Sequence, residues 1–158
     1  ALKSAPEALM QPSQTGLTIS AREFSLAEMV NPVWEGCISA SGADFRAWLE
    51  KTGTALFAWS SQARGFFTDR SAPDDFSDPE LANAWYSTKN FERKRRAVAL
   101  SEKLGVLPIN IALAYVLCQR FPAFAIIGPQ TVHEIRTSLF ALDVELDDGQ
   151  LAWLNLEA

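Results

Sequence analysis

The stretch TALFAWSSQARGFFT, residues 54–68, holds a five-residue apolar run, ALFAW, that passes directly into the polar loop SSQARG. A continuous apolar run of strand length, bounded by turn-forming residues, suits a parallel strand covered on both faces. Trp59 stands where the strand becomes loop. In parallel β/α folds, ligands bind beyond the carboxyl ends of the strands. A large ring at that position is either a core residue or a platform for a flat ligand, and the residues alone leave both readings open.

Working outward, the upstream segment ADFRAWLEKTG (residues 43–53) places Phe45, Trp48 and Leu49 on one helical face, with Asp44 near the start and Gly53 after the end. That pattern predicts a short amphipathic helix. Before it, NPVWEG and FSLAEM read as a turn-rich excursion, and LTIS (residues 17–20) as a strand. Downstream, TDRSAPDDFSDPE is a loop by its Pro and Asp content. DPELANAWYS predicts a helix capped by Asp78 with Pro79 in its first turn. NFERKRRAVALSEKLG predicts a longer helix, with Asn90 as a candidate cap and Gly105 as its stop. LPINIALAYVLCQRF continues as an apolar helix from Pro108 and includes Cys118 as a small core residue. AFAIIG (residues 123–128) is another buried strand, TVHEIRTSLFAL a helix beginning near Thr131, and DDGQLAWLNLE a last amphipathic turn or two.

Strands alternating with helices imply parallel β/α units with right-handed crossovers. The expected fold is α/β, a partial (half) β/α barrel with about three to four parallel strands and covering helices, spanning residues 1–158 as one domain. A fourth strand would have to precede Leu17, where ALKSAPEALMQPSQTG carries two prolines and no strand pattern. A complete eight-stranded barrel takes about 250 residues, more than the 158 here.

Composition narrows the functions. The formal charge of −5 argues against general binding to a nucleic-acid backbone. The one basic cluster, residues 93–96, lies in a helical context and reads as a solvated face. No apolar run approaches the roughly 20 residues that span a bilayer. Two distant cysteines, Cys37 and Cys118, have no metal-ligand spacing. With no secretory pattern at the start, a reducing cytoplasmic setting is expected.

Two strand ends carry usable chemistry. After Trp59 come Ser60, Ser61, Gln62, Arg64 and Gly65, which offer hydroxyls, an amide, a cation and a permissive backbone position. After the later strand come Gly128, Pro129, Gln130 and Thr131, leading into a helix whose free N–H groups favour an anion. Both segments also read as ordinary loops. There is no glycine-rich nucleotide fingerprint. His133 falls in the first turn of a helix as a surface residue, Asp74, Asp75 and Asp78 form a solvated acidic loop, and Tyr86 and Tyr115 lie on helices away from the strand ends.

In this order and with this content, the segments resemble the C-terminal part of an aldo-keto reductase. FAWSSQARGFFT is similar to that family's segment at the seventh barrel strand, INIALAYVLCQ to its following helix, and AIIGPQTVHEIRTSLFALDVELDDGQLAWLN to the eighth strand, phosphate-binding turn and closing helices. REFSLAEM is similar to the end of the sixth strand. The resemblance implies an NAD(P)-dependent oxidoreductase. Trp59 would stack on the nicotinamide ring, and Ser60, Gln62 and Arg64 would lie along the pyrophosphate. Gly128 and Gln130 would approach the adenosine 2′-phosphate or ribose, and Thr137 and Ser138 the adenine.

Five positions depart from the family pattern, Thr137 and Ser138 being shorter than the Glu-Asn common there. Ala21 replaces a carboxamide-binding Gln, Ser61 replaces Pro, and Glu134 stands where NADPH-dependent members often carry Arg. A carboxylate at Glu134 would repel a 2′-phosphate, so NADPH is not the expected preference. The family's catalytic Asp, Tyr, Lys and His belong to the first half of its barrel, which these residues do not include. The expected partner is therefore a second copy or a missing N-terminal half. The alternative reading is a non-catalytic half-barrel that oligomerises or binds partners and has lost its cofactor.

Overall fold

The computed structural model describes residues 19–157. Three parallel strands form one sheet in the order β1 (Ile19–Glu23), β2 (Ala55–Trp59) and β3 (Ala123–Ala125). Register is fixed by Ala21 opposite Phe57 and Phe57 opposite Phe124. The helices are α1 (Ala43–Thr52), α2 (Pro79–Trp85), α3 (Thr88–Leu104), α4 (Pro108–Leu117), α5 (Val132–Leu139) and α6 (Asp148–Leu154). This is the expected α/β arrangement of three parallel strands with helices between them. Leu17, Thr18 and any earlier strand lie outside the described residues.

Local chemistry sets most boundaries. Gly53 and Gly105 end α1 and α3 in the left-handed conformation, where a Cβ would be strained. Asp78 caps α2 by accepting from the Leu81 N–H, and Pro79 opens that helix. Asn90 is not the cap of α3, because the helix starts a turn earlier and Ser87 accepts from the Asn90 N–H. Asn90 is instead buried, its amide donating to the Glu28 and Trp85 carbonyls. The strand expected at residues 123–128 is shorter, ending at Ala125, with only the Ile126 N–H continuing the ladder to the Ala58 carbonyl. Cys118 does not lie inside α4 but caps its C-terminus, half-buried.

The two sheet faces differ. Leu56 and Ala58 point to the helices and are fully buried with Ile111, Ala112 and Val116. On the other face Phe57 stacks on Phe124 with centroids 5.0 Å apart, and Phe124 remains 53% exposed. Ile19 and Ile126 are exposed too. The expectation of cover on both faces thus holds on the helix side alone among the described residues. The α5 surface adds Val132, Ile135 and Leu139, all exposed, at helical spacing.

The basic run is not a solvated face. Arg93 is buried, pairing with Glu28 at 2.7 Å and reaching Asn90 Oδ1 at 3.1 Å. Lys94 donates to the Thr68 and Ser71 carbonyls, both at 2.7 Å. Arg96 lies over the Trp153 ring at 5.1 Å. Only Arg95 projects to solvent, paired with Glu92. Buried carbonyls and a carboxylate at these positions reward cations that can reach them, and a sequence run does not show where such partners lie.

Candidate functional site

The loop after β2 is built from uncommon backbone conformations. Ser60, Ala63 and Arg64 have φ of 52°, 47° and 52°, and Gly65 has 88°. Non-glycine residues in that region are uncommon and cost on the order of 1 kcal/mol or more each, and such residues tend to cluster at ligand-binding segments. The turn is held by Ala63 N–H to the Ser60 carbonyl at 2.7 Å, Gly65 N–H to the Gln62 carbonyl at 3.1 Å, and Thr68 Oγ1 to the Gly65 carbonyl at 2.8 Å. Ser61 is buried and donates to the Ile126 carbonyl at 2.8 Å. Ser61 therefore stitches the two strand ends together.

The second strand end runs through Gly128 to Thr131, which caps α5 by accepting from the Glu134 N–H at 3.1 Å. Glu134 returns its own carboxylate to the Gln130 N–H at 2.7 Å. An N–H and positive helix end that could hold an outside anion already face one from this chain. Two further bonds lock the segments: Gln62 Nε2 to Ser138 Oγ at 3.1 Å, and Asn110 Nδ2 to the Thr137 carbonyl at 2.7 Å.

Between these segments lies a cavity of about 730 Å³, within the size range of small-molecule sites. It is lined by Ser60, Gln62, Arg64, Gly128, Gln130, Glu134, Thr137 and Ser138, eight of the nine residues expected from the sequence. Open space surrounds the missing side chain of Gly128, so a ligand can approach its backbone. Sequence reading missed Arg70, Asp78 and Glu80 on the cavity wall. Arg64 pairs with Glu80 at 3.1 Å and Arg70 with Asp78 at 2.8 Å, while Arg70 also donates to the Arg64 carbonyl. These contacts bring together residues up to 16 positions apart, which the acidic composition around Arg70 does not reveal.

The ninth residue, Trp59, does not line the cavity. Instead of facing an open cleft, its ring lies against Trp34, with centroids 4.5 Å apart and planes 26° apart. Beside it in register, Glu23 ends β1 fully buried. Burial pushes the Glu23 pKa up to about 7, partly offset by the Ser39 and Ser25 hydroxyls and reinforced by the charge of Glu28. The sequence reading did not single out Glu23, whose burial is set by packing.

The remaining candidates have local roles, although Asp78 also borders the cavity. His133 is exposed on α5. Asp75 and Asp78 accept from the backbone N–H groups of Ser77 and Leu81, so both serve local turn and cap structure.

The geometry agrees with comparisons to known proteins. The family model described as "Aldo/keto reductase family" matches residues 31–155. The chain belongs to the aldo/keto reductase family. It is 29% identical over 103 residues to the oxidoreductase YrpG of Bacillus subtilis, which covers 65% of this chain and 32% of YrpG. It is 27% identical over 124 residues to the norsolorinic acid reductase stcV of Emericella nidulans, 75% of this chain and 31% of that protein. Its fold is similar to that of the thermostable aldo-keto reductase Tm1743, solved with the inhibitor epalrestat. The TM-score is 0.62 at 16% identity, covering 92% of this chain and 42% of Tm1743. The chain thus spans about a third of the length of these curated relatives.

Proposed function

We propose that this aldo/keto reductase chain supplies the dinucleotide-binding part of an NAD(P)-dependent oxidoreductase and favours NADH. The observation that carries this reading is the single cavity shared by the two strand-end segments. In this reading Ser60, Gln62 and Arg64 follow a pyrophosphate, with Arg64 exchanging Glu80, its present partner, for phosphate oxygens. Gly128 admits the ribose, and Thr137 and Ser138 border the adenine. When bound, the nicotinamide supplies a hydride to a carbonyl carbon. In this reading a second copy or an N-terminal half contributes the proton donor for that carbonyl and the other catalytic groups of the family's barrel.

The choice of cofactor follows from Glu134. Its carboxylate already accepts from the Gln130 N–H, so a 2′-phosphate would meet a like charge where it needs a donor. A ribose hydroxyl can instead donate to that carboxylate. The uncovered sheet face around Phe57 and Phe124, with the α5 stripe, is the surface on which the rest of a barrel would sit.

Isothermal titration of the wild type and Glu134→Gln with NADH and NADPH tests this reading. NADH is expected to bind the wild type more tightly. The substitution should improve NADPH affinity about 10-fold, equivalent to about 1.4 kcal/mol. Tighter NADPH binding by the wild type would overturn the preference. A second reading, a non-catalytic interaction module in a reducing cytoplasm, is favoured by the Trp34 ring over Trp59. It expects a stable oligomer in light scattering with no dinucleotide affinity.

A further inference from the structure

Trp34 is 57% exposed, yet it lies flat against Trp59 at a centroid distance of 4.5 Å. That is the spacing and orientation a planar ligand would adopt on the same ring. Trp34 sits in a strap tied down at both ends. At one end the Val30 N–H donates to the Ala84 carbonyl at 2.7 Å, and Asn31 Nδ2 to the Asn83 carbonyl at 2.9 Å. At the other, the Glu23 N–H donates to the Ile38 carbonyl and the Ala40 N–H to the Glu23 carbonyl, the latter at 2.8 Å. Two residues past Trp34, Gly36 has φ +79° with open space around it. The tip is a turn with Gly36 at its permissive position, closed by the Cys37 N–H on the Trp34 carbonyl at 3.2 Å, between fixed anchors.

We propose that Trp34 is an autoinhibitory ring: it competes with a planar cofactor ring for the face of Trp59, and the strap must swing at Gly36 before that cofactor binds. The proposal rests on the dinucleotide reading of Trp59. A core pair would bury both rings. Here the outer ring stays more than half exposed, while Trp59 is half-buried beneath it. The two occupants cannot share one ring face, so dinucleotide affinity is reduced by the fraction of molecules in which the strap is closed.

The test is calorimetric titration of the full chain with NADH, in the wild type, Trp34→Ala, Trp34→Leu and Trp59→Ala. Trp34→Leu keeps apolar bulk and loses the stack. Both Trp34 variants are expected to bind NADH roughly 3- to 10-fold more tightly, the range set by one aromatic pair. In protein labelled with 5-fluorotryptophan, Trp34→Ala should also shift the Trp59 fluorine resonance. Equal affinity in the wild type and both Trp34 variants overturns the gate and leaves the dinucleotide reading standing. Weaker binding by the variants also overturns it, making Trp34 a clamp on the ligand. Absence of NADH binding by every form removes both readings, and an unmoved Trp59 resonance removes the stack itself.

Discussion

Glu23→Gln is expected to stabilise the chain at pH 8 by on the order of 3 kcal/mol and to leave it nearly unchanged at pH 4.5. Glu23 is fully buried at the end of β1, and burial holds its carboxyl protonated up to about pH 7 against an ordinary value of 4.5. Below pH 4.5 the group carries its proton in both folded and unfolded chains, and folding costs nothing in ionisation. Between pH 4.5 and 7 the unfolded chain releases the proton while the folded chain keeps it, so stability falls as pH rises. Above about pH 7 both forms are ionised and the full penalty persists. The neutral amide keeps an acceptor for Ser25 Oγ, now 3.1 Å from Glu23 Oε1, and has no proton to lose. Urea unfolding at pH 4.5 and pH 8 measures both arms. Parallel pH profiles for the two proteins would contradict the burial argument.

Trp59→Ala is expected to weaken NADH binding by roughly 5- to 150-fold, since loss of one aromatic platform under a ring costs about 1–3 kcal/mol. The ring is half-buried and stacked on Trp34, so the substitution removes both the platform and its cover. Trp34→Ala removes only the cover. Opposite changes in affinity from the two members of one stack are the signature of a ligand-bearing ring, because a merely structural pair would lose affinity or stability in the same direction. Calorimetric titration read beside far-UV circular dichroism separates lost binding from lost folding.

Local signals in the sequence were sufficient for the framework. ALFAW is a strand because five apolar residues end at a polar turn. Gly53, Gly105, Asp78 with Pro79, and Thr131 mark helix ends through chemistry confined to a few residues. The parallel order of three strands follows from the helices between them. The two loops lining the cavity were legible for the same reason, since parallel β/α units bring strand ends to one side. What was not legible depends on distant partners. Arg93 reads as one of four exposed cations until Glu28, 65 residues away, is placed against it. Asn90 has the composition of a cap, but the Glu28 and Trp85 carbonyls draw its amide inside. Trp34 lies in a segment without periodicity, and nothing near it in sequence foretells that it will cover Trp59. Glu23 ends a short strand, and only packing decides that its carboxyl is withdrawn from water.

The central claim, that these two strand ends form a dinucleotide site, is tested most directly by following backbone amide resonances during titration with NADH. The account expects saturable shifts concentrated at residues 60–65 and 128–138, and at the strap around Trp34 as it leaves the Trp59 ring. Shifts confined to other surfaces, or an unchanged spectrum at millimolar NADH, would contradict it.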